Sequence, residues 1–309
     1  MITKRLEWYI EHNNILSNHT LGFRKSKSCI DCIARLVSHI QIGFSKNIPT
    51  LACFIDIENA YNNVPVDILV KILDELKVGA QFCKYIWAFL TQRNLLINCQ
   101  VTKVSINRWT HRGLAQGDPM SPLLFNIITS GLHIPSEHST LCQYADDFVV
   151  YSSSKNLNDC KLHIQNSLKN LAISLQKLGL EISVEKSKCM IFSRGIRRQE
   201  IRLEVSGNRI SPVDNYKYLG MWMDRTLKWS THIKEICQKV IKYINILKVL
   251  SGSGWGIHPQ HLRKLYLALV RSRLDFGCFL YDSSANSNIS KLDKIQNQAM
   301  RIIGGFIKT

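Results

Sequence analysis

Three aspartates are the residues of this sequence best suited to chemistry. Asp146 and Asp147 are adjacent between two short apolar segments, 141–144 and 148–151, which the pattern predicts as strands joined by a tight turn. Asp56 lies at the end of a further predicted strand, which is apolar enough to be buried. Carboxylates brought together repel one another unless a cation neutralises them, and Mg²⁺ prefers oxygen ligands of this kind. The sequence therefore suggests a divalent-metal site.

The adjacent pair alone has a simpler explanation. Polar residues are common in tight turns, so Asp146 and Asp147 could form an ordinary hairpin turn that holds no metal. Asp56, which lies 90 residues before Asp146, shifts the interpretation, because a carboxylate ending a buried strand is costly unless it ligates something. Three such carboxylates could hold two metal ions about 4 Å apart, the arrangement that stabilises the attacking and leaving oxygens in phosphoryl transfer.

Strands and helices alternate around these aspartates without the regular period of a parallel α/β sheet. Up to residue 224, the pattern predicts further helices at 65–76, 81–91, 122–132 and 157–178, and short strands at 189–193, 201–205 and 216–221. Beyond it the pattern is helical only, with an apolar stripe from Ile233 to Leu250, a break at 251–254, and helices at 258–273 and 289–303. We expect an α+β body followed by a helical appendage.

The net charge of +17 over 309 residues indicates a polyanionic partner, because each neutralised phosphate releases condensed counterions. The 85 residues from Arg225 to Thr309 hold 14 basic and 4 acidic side chains, a net charge of +10, against +7 in the preceding 224. We therefore expect the helical appendage to grip phosphates. No apolar run is long enough for a membrane span and no signal peptide is evident, so an intracellular protein is expected.

Ten cysteines are spread singly, apart from Cys29 and Cys32. A zinc site needs a second pair or histidines at ligand spacing, and none follows at a suitable distance. We expect reduced, buried thiols on a helix.

Several segments occur in the order of the palm boxes of reverse transcriptases. Those boxes resemble residues 54–61 (FIDIENAY), 112–126 (RGLAQGDPMSPLLFN), 144–147 (YADD), Gly179-Leu180 with Lys186, and 216–220 (YKYLG). Residues 22–26 (GFRKS) are similar to a segment of the fingers, and residues 224–233 (DRTLKWSTHI) fit a D-x-x-L-x-W-x-x-H-I string. Over nearly its whole length the chain resembles the reverse transcriptases of non-LTR, jockey-like retrotransposons.

This resemblance implies a right-hand polymerase of the α+β class, with an antiparallel palm sheet. Its parts would be partial fingers at 1–45, a palm at 46–224 and a helical thumb at 225–309. The implied activity is RNA-directed DNA polymerisation from an RNA template, a DNA primer and deoxynucleoside triphosphates, with two Mg²⁺ ions for which Mn²⁺ can substitute. The resemblance implies no membrane and no obligate protein partner, and it makes the nucleus the expected compartment.

The resemblance also assigns roles at the catalytic centre. Asp56, Asp146 and Asp147 would be the metal ligands, assisted by the Ile57 carbonyl. Tyr61 would lie under the incoming sugar and exclude a 2′-hydroxyl, although an aromatic packed in a helical turn is the simpler alternative.

Other assignments concern substrate and primer. Gln116 and Gly117 would lie beside the templating pair, with the glycine permitting close backbone approach. Lys186 would protonate the pyrophosphate leaving group, or else be a solvated lysine. Arg24 would touch the triphosphate or the template backbone, and the primer grip would comprise Tyr218, Leu219 and Gly220.

Some residues depart from the family pattern. Ala115 and Asp118 replace the usual proline and serine, and Asn62 stands where aspartate is frequent. The basic segment that normally precedes the GFR region has no counterpart here, nor does an endonuclease domain, which suggests an N-terminally truncated copy. A catalytically silent nucleic-acid-binding relic is therefore an alternative. A telomerase or intron-maturase relative is disfavoured by the 224–233 string.

Overall fold

The computed structural model describes residues 1–98, 103–109, 111–132, 138–195, 201–252 and 255–306, with the backbone alone at 94–98 and 103–109. The chain divides into two compact units, Met1–Val213 and Asp214–Thr309. This division precedes the expected boundary at residue 224, because the strands that follow Val213 pair with each other and not with the main sheet.

A six-stranded sheet forms the centre of the first unit, in the order β4-β5-β1-β6-β8-β7. Every pairing in it is antiparallel except that of β6 with β8, which confirms the predicted α+β class. A separate hairpin, β2-β3, and strand β8 were not predicted from the sequence. The strands are β1 (Thr50–Ile57), β2 (Gln92–Asn98), β3 (Lys103–Trp109), β4 (Thr140–Tyr144), β5 (Asp147–Ser153), β6 (Ile182–Phe192), β7 (Leu203–Val205) and β8 (Asn208–Pro212).

Amphipathic helices supply the rest of the core of this unit. In α7 the residues at helical spacing Ile164, Leu168, Leu171 and Leu175 are buried, and the helix ends before Gly179, whose φ of +70° favours glycine. The helices are α1 (Ile2–His12), α2 (Cys29–Ser45), α3 (Ala60–Asn63), α4 (Val66–Glu75), α5 (Ala80–Thr91), α6 (Ser121–Ile128) and α7 (Leu157–Lys177).

The second unit joins a two-stranded hairpin to a group of helices. The predicted stripe on α8 is buried from Ile233 to Leu247, whereas Leu250 is half-buried. The single helix predicted over 258–273 is instead two helices joined by a π-helical turn at Leu267–Arg271. The elements are β9 (Asn215–Tyr218), β10 (Met221–Asp224), α8 (Ser230–Leu250), α9 (Pro259–Tyr266), α10 (Ser272–Asp275), α11 (Cys278–Tyr281) and α12 (Asn286–Gly304). Among the described helices of the chain, none is long and apolar enough to cross a membrane.

Candidate active site

The pairing of β1 with β5 brings the three aspartates together. Asp56 lies directly opposite Asp147 in the antiparallel register, and Asp146 occupies the two-residue turn between β4 and β5. The other turn residue, Ala145, has a φ of +55°, a left-handed conformation that is uncommon for a residue with a side chain. Such strain persists only where the surroundings impose it, and it is frequent at functional sites.

Burial and the charges of neighbouring carboxylates raise the pKa of Asp146 and of Asp147. The pKa of Asp147 rises to about 6, because of burial first and of the charges of Asp146 and Asp56 second. The pKa of Asp146 is also raised, mainly by burial, although its own backbone N–H and Lys186 act in the opposite direction. A cation in this cluster would relieve the repulsion.

The donor set fits divalent metal ions. The Oδ2 atom of Asp56 is buried and accepts no hydrogen bond from the described residues. Carboxylate oxygens are the ligands that Mg²⁺ prefers, and it commonly takes one or two of them together with substrate phosphates and water. Among the described residues, however, no three His, Cys, Asp or Glu side chains, these aspartates included, are arranged so that they could hold a metal ion by themselves. A metal ion held by these aspartates would therefore need further ligands, such as water or phosphate oxygens.

An irregularity in β6 places Lys186 beside this cluster. Phe54 pairs with Lys188 but Asp56 pairs with Ser183, so β6 bulges between these two pairs. The buried Ser187 hydroxyl holds the bulge by donating to the Ser183 carbonyl at 2.7 Å, while its oxygen accepts from the Asp56 N–H at 3.2 Å. Lys186 Nζ consequently lies 3.6 Å from Asp56 Oδ2, with its side chain 67% exposed. Bulges re-aim side chains at active sites in this way.

The turn that carries Asp146 rests on the segment around Gly22. A Cβ on Gly22 would collide with the Ala145 nitrogen, and the Gly22 carbonyl accepts from Asn126 Nδ2 at 2.7 Å. The fully buried Gln143 donates from Nε2 to the Ala145 carbonyl at 3.1 Å and to Thr129 Oγ1 at 2.7 Å. Sequence reasoning gave no supporting role to Gln143 or Asn126. The one available signal was the occurrence of amide side chains within otherwise apolar segments.

Tyr61 is half-buried beside the carboxylates. Its ring stacks on Phe125, with the centroids 5.0 Å apart and the planes at 20°. Burial, followed by the charges of Asp146 and Tyr144, raises the pKa of its hydroxyl to about 12. The ring is therefore fixed by packing while it lies near the predicted metal ligands, so the packing and the sugar-gate interpretations are compatible.

The Gln116 segment is attached to the Tyr61 segment by backbone hydrogen bonds. The Leu114 N–H donates to the Tyr61 carbonyl at 2.7 Å, and Gln116 Nε2 donates to Asn62 Oδ1 at 3.1 Å. Gly117 has a φ of +91°, and no atom lies within 4 Å of where its Cβ would be. This leaves open space for a ligand beside the Gly117 backbone.

Two of the departures from the family pattern have structural roles. Asn62 accepts the hydrogen bond from Gln116, and Asp118 Oδ1 accepts from the Met120 N–H at 2.8 Å, just before α6 begins. The Asp118 carboxylate thereby satisfies a backbone donor at the start of a helix.

Arg24 forms its hydrogen bonds with residues outside this cluster. Its guanidinium forms a bidentate ion pair with Glu11, at 2.8 Å for each contact, and donates to the carbonyls of Ser17 and Thr20. A contact between Arg24 and a phosphate would require these bonds to open.

Cys29 and Cys32, which are close to each other in the sequence, are both free thiols. Cys32 is buried and Cys29 is half-buried.

The predicted primer-grip residues belong to the second unit. Tyr218 is buried in β9, and it faces Met221 across a two-residue turn. Both turn residues have positive φ, +45° at Leu219 and +92° at Gly220, as a type I′ hairpin turn requires.

Comparison with known protein families shows which family contains this chain. Residues 1–223 match the family described as reverse transcriptase (RNA-dependent DNA polymerase). The chain belongs to the reverse transcriptase family. The matched region includes the three aspartates.

Curated relatives narrow the resemblance to retrotransposons. The chain is 25% identical over 311 residues to a probable RNA-directed DNA polymerase from transposon BS of Drosophila melanogaster. It is 22% identical over 318 residues to the RNA-directed DNA polymerase from mobile element jockey of Drosophila funebris. These alignments include 98% and 99% of this chain but 34% of each relative, so the chain spans about a third of their length.

Solved structures support the fold. Apo telomerase from Candida tropicalis matches with a TM-score of 0.51 over 99% of this chain and 54% of that one, at 10% identity. Its complex with a telomeric RNA fragment matches with the same TM-score at 12% identity. At such identities the likeness concerns the fold alone.

Proposed function

We propose that this chain is an RNA-directed DNA polymerase of a non-LTR retrotransposon. The observation that carries the proposal is the register of Asp56 against Asp147, with Asp146 in the adjoining turn, within the part of the chain that matches the family. In the proposed division of labour, residues 1–45 are partial fingers, 46–224 the palm and 225–309 the thumb.

The proposed reaction is attack of a primer 3′-hydroxyl on the α-phosphate of a deoxynucleoside triphosphate, paired to an RNA template. A P–O bond forms to the primer, the bond to pyrophosphate breaks, and no covalent enzyme intermediate is needed. Asp56, Asp146 and Asp147, with the Ile57 carbonyl, would hold two Mg²⁺ ions or Mn²⁺. When bound, the metal ions supply charge stabilisation to the attacking and leaving oxygens.

Residues of the chain itself would perform the remaining tasks. Lys186, which is exposed beside Asp56, would give a proton to the departing pyrophosphate. The Tyr61 ring, held by Phe125, would block a ribose 2′-hydroxyl, and Gln116 with Gly117 would line the templating pair. The turn at Tyr218 to Gly220 would hold the primer end. We also propose, from the family resemblance, an intracellular and specifically nuclear site of action.

Primer extension tests this proposal. The purified chain should extend a DNA primer on an RNA template when deoxynucleotides and Mg²⁺ or Mn²⁺ are supplied. Asp146→Asn, purified in parallel, should show no extension and thereby exclude a contaminating polymerase. A chain that melts cooperatively and binds the duplex but incorporates nothing across both metal titrations would contradict the proposal and favour a silent nucleic-acid-binding relic.

A further inference from the structure

The carboxylate of Asp224 organises the connection between β10 and α8. Its Oδ1 accepts from the Thr226 N–H at 3.0 Å, the Thr226 hydroxyl at 2.8 Å and the Lys228 N–H at 3.1 Å. Its Oδ2 accepts from the Trp229 N–H at 2.8 Å. The connection contains two left-handed residues with side chains, Leu227 at φ +50° and Trp229 at φ +61°. A conformation of that kind is costly and needs such a set of bonds to hold it.

His232, in the first turn of α8, links this helix to the hairpin of β9 and β10. Its side chain is buried, and Nδ1 accepts from the Trp222 N–H of β10 at 3.3 Å. Burial lowers the pKa of His232 to about 4, so the ring is neutral near pH 7 and keeps the lone pair that this bond uses. The ring lies edge-on to the fully buried Trp229, with the centroids 6.1 Å apart.

The loop between α10 and α11 supports the turn of the same hairpin. A Cβ on Gly220 would lie 3.5 Å from Cε1 of Phe276, and a Cβ on Gly277 would lie 2.6 Å from the Met221 sulfur. The loop therefore packs against Gly220 of the turn at ordinary contact distance and more closely against Met221 at the start of β10. The hairpin is held at its base by α8 and at its turn by the α10–α11 loop.

We propose that Asp224 and His232 are positioning residues that lock the turn at Tyr218 to Gly220 onto α8, and so fix where the primer 3′ end is held. This inference rests on the proposed function, because it takes the turn to be the primer grip. It assigns a mechanical role to the string formed by Asp224, Leu227, Trp229 and His232. The N–H groups of Leu227 and Trp229 donate to Asp224, and the Trp229 ring contacts His232. A small displacement of a reacting hydroxyl lowers the rate of chemistry without weakening substrate binding.

The primary test compares Asp224→Asn with Asp293→Asn, which removes the same charge from an exposed position on α12. Extension rates are normalised to the concentration of active sites by burst amplitude. We expect Asp224→Asn to lower kcat about tenfold or more while the KM for deoxynucleotide and the duplex affinity stay within about twofold, as for a group that acts on the transition state. Asp293→Asn should match the wild type. A normalised kcat equal to that of the wild type would show that Asp224 serves stability alone.

His232 gives a second pair of variants that does not depend on Asp224. Asn can place an oxygen near the position of Nδ1, so His232→Asn should retain more normalised kcat than His232→Leu, which removes the acceptor. Equal rates for the two variants would contradict a role for the Trp222 bond.

Hydrogen exchange separates a failure of the lock from a failure of the proposed function. The amides of residues 216–223 should exchange faster in Asp224→Asn than in the wild type, whereas those in the buried part of α12 should not change. Unchanged protection of the hairpin would overturn the lock even in an active enzyme. If the wild type extended no primer while Asp224→Asn still exchanged the hairpin amides faster, the result would support the lock and reject the polymerase assignment.

Discussion

The two compact units differ in the sign of the charge that they concentrate and in how deeply that charge is buried. In the first unit, three carboxylates are half-buried where β1 and β5 meet, and their spacing depends on strand register across about ninety residues of sequence. In the second, basic side chains such as Lys239, Lys242 and Arg263 are exposed on helices whose other faces are buried. A site that concentrates charge against repulsion needs tertiary structure to hold it, whereas a surface that attracts phosphate needs little more than composition and helical spacing.

Asp146→Asn should produce the largest effect and separate the two regions most sharply. Extension should fall by about a thousandfold or more, because a proposed metal ligand is lost, while duplex affinity should be unchanged or slightly higher. Single-turnover extension and fluorescence binding measure the two quantities. Asp67→Asn, at an exposed position on α4, is the matched control. Loss of duplex binding together with activity would mean that the carboxylates also contribute to holding the duplex.

Tyr61→Ala should mainly change selectivity. Removing the ring should raise the ratio of ribonucleotide to deoxynucleotide incorporation by about a hundredfold, since a steric block is lost. Tyr61→Phe keeps the ring and its stacking on Phe125, so it should preserve the ratio. An unchanged ratio in Tyr61→Ala would leave the tyrosine a packing role only.

Ionisation of the carboxylate cluster should be visible in stability without any substrate. The folded-state pKa of Asp147, about 6, exceeds its usual value of 3.8, so the metal-free protein should lose stability as pH rises through that interval. Mg²⁺ should therefore raise Tm more at about pH 7.5 than at about pH 5, by a few degrees. Asp147→Asn should raise the metal-free Tm at the higher pH and reduce the Mg²⁺ effect. Equal Mg²⁺ shifts at both pH values would argue against binding at this cluster.

The smallest effect is expected in the second unit. Replacing Lys239, Lys242 or Arg263 singly with alanine should lower the slope of log affinity against log salt by roughly 0.7 to 0.9, if each neutralises one phosphate. Extension at saturating duplex should be preserved. Slopes equal to that of the wild type for all three variants would place the phosphate contacts elsewhere.

Much of the fold followed from local pattern. The strand ending at Asp56, the hairpin around Asp146 and the long helix before Gly179 lie within a few residues of their predicted limits, because apolar alternation and turn residues are local signals. The π-helical turn at 267–271 interrupts a helix whose apolar periodicity gave no sign of it.

Contacts between distant segments explain what the sequence did not predict. The bulge that brings Lys186 to Asp56 depends on a register set by two strands, and the ion pair of Arg24 with Glu11 depends on how α1 meets the next segment. Asp224 and its hydrogen-bond partners are close in sequence. Their bonds nevertheless require left-handed backbone at Leu227 and Trp229, residue types that do not predict this conformation.

Gly22 makes the turn that carries Asp146 sensitive to a residue more than a hundred positions away. Because no Cβ fits between Gly22 and the Ala145 nitrogen, any substitution at residue 22 must displace either the turn or the segment beneath it. A drifting gene copy could therefore lose its polymerase through a change at this position while all three aspartates stayed intact. The survival of the carboxylates is for that reason an incomplete test of whether a related copy is functional, and the residue at position 22 should be inspected with them.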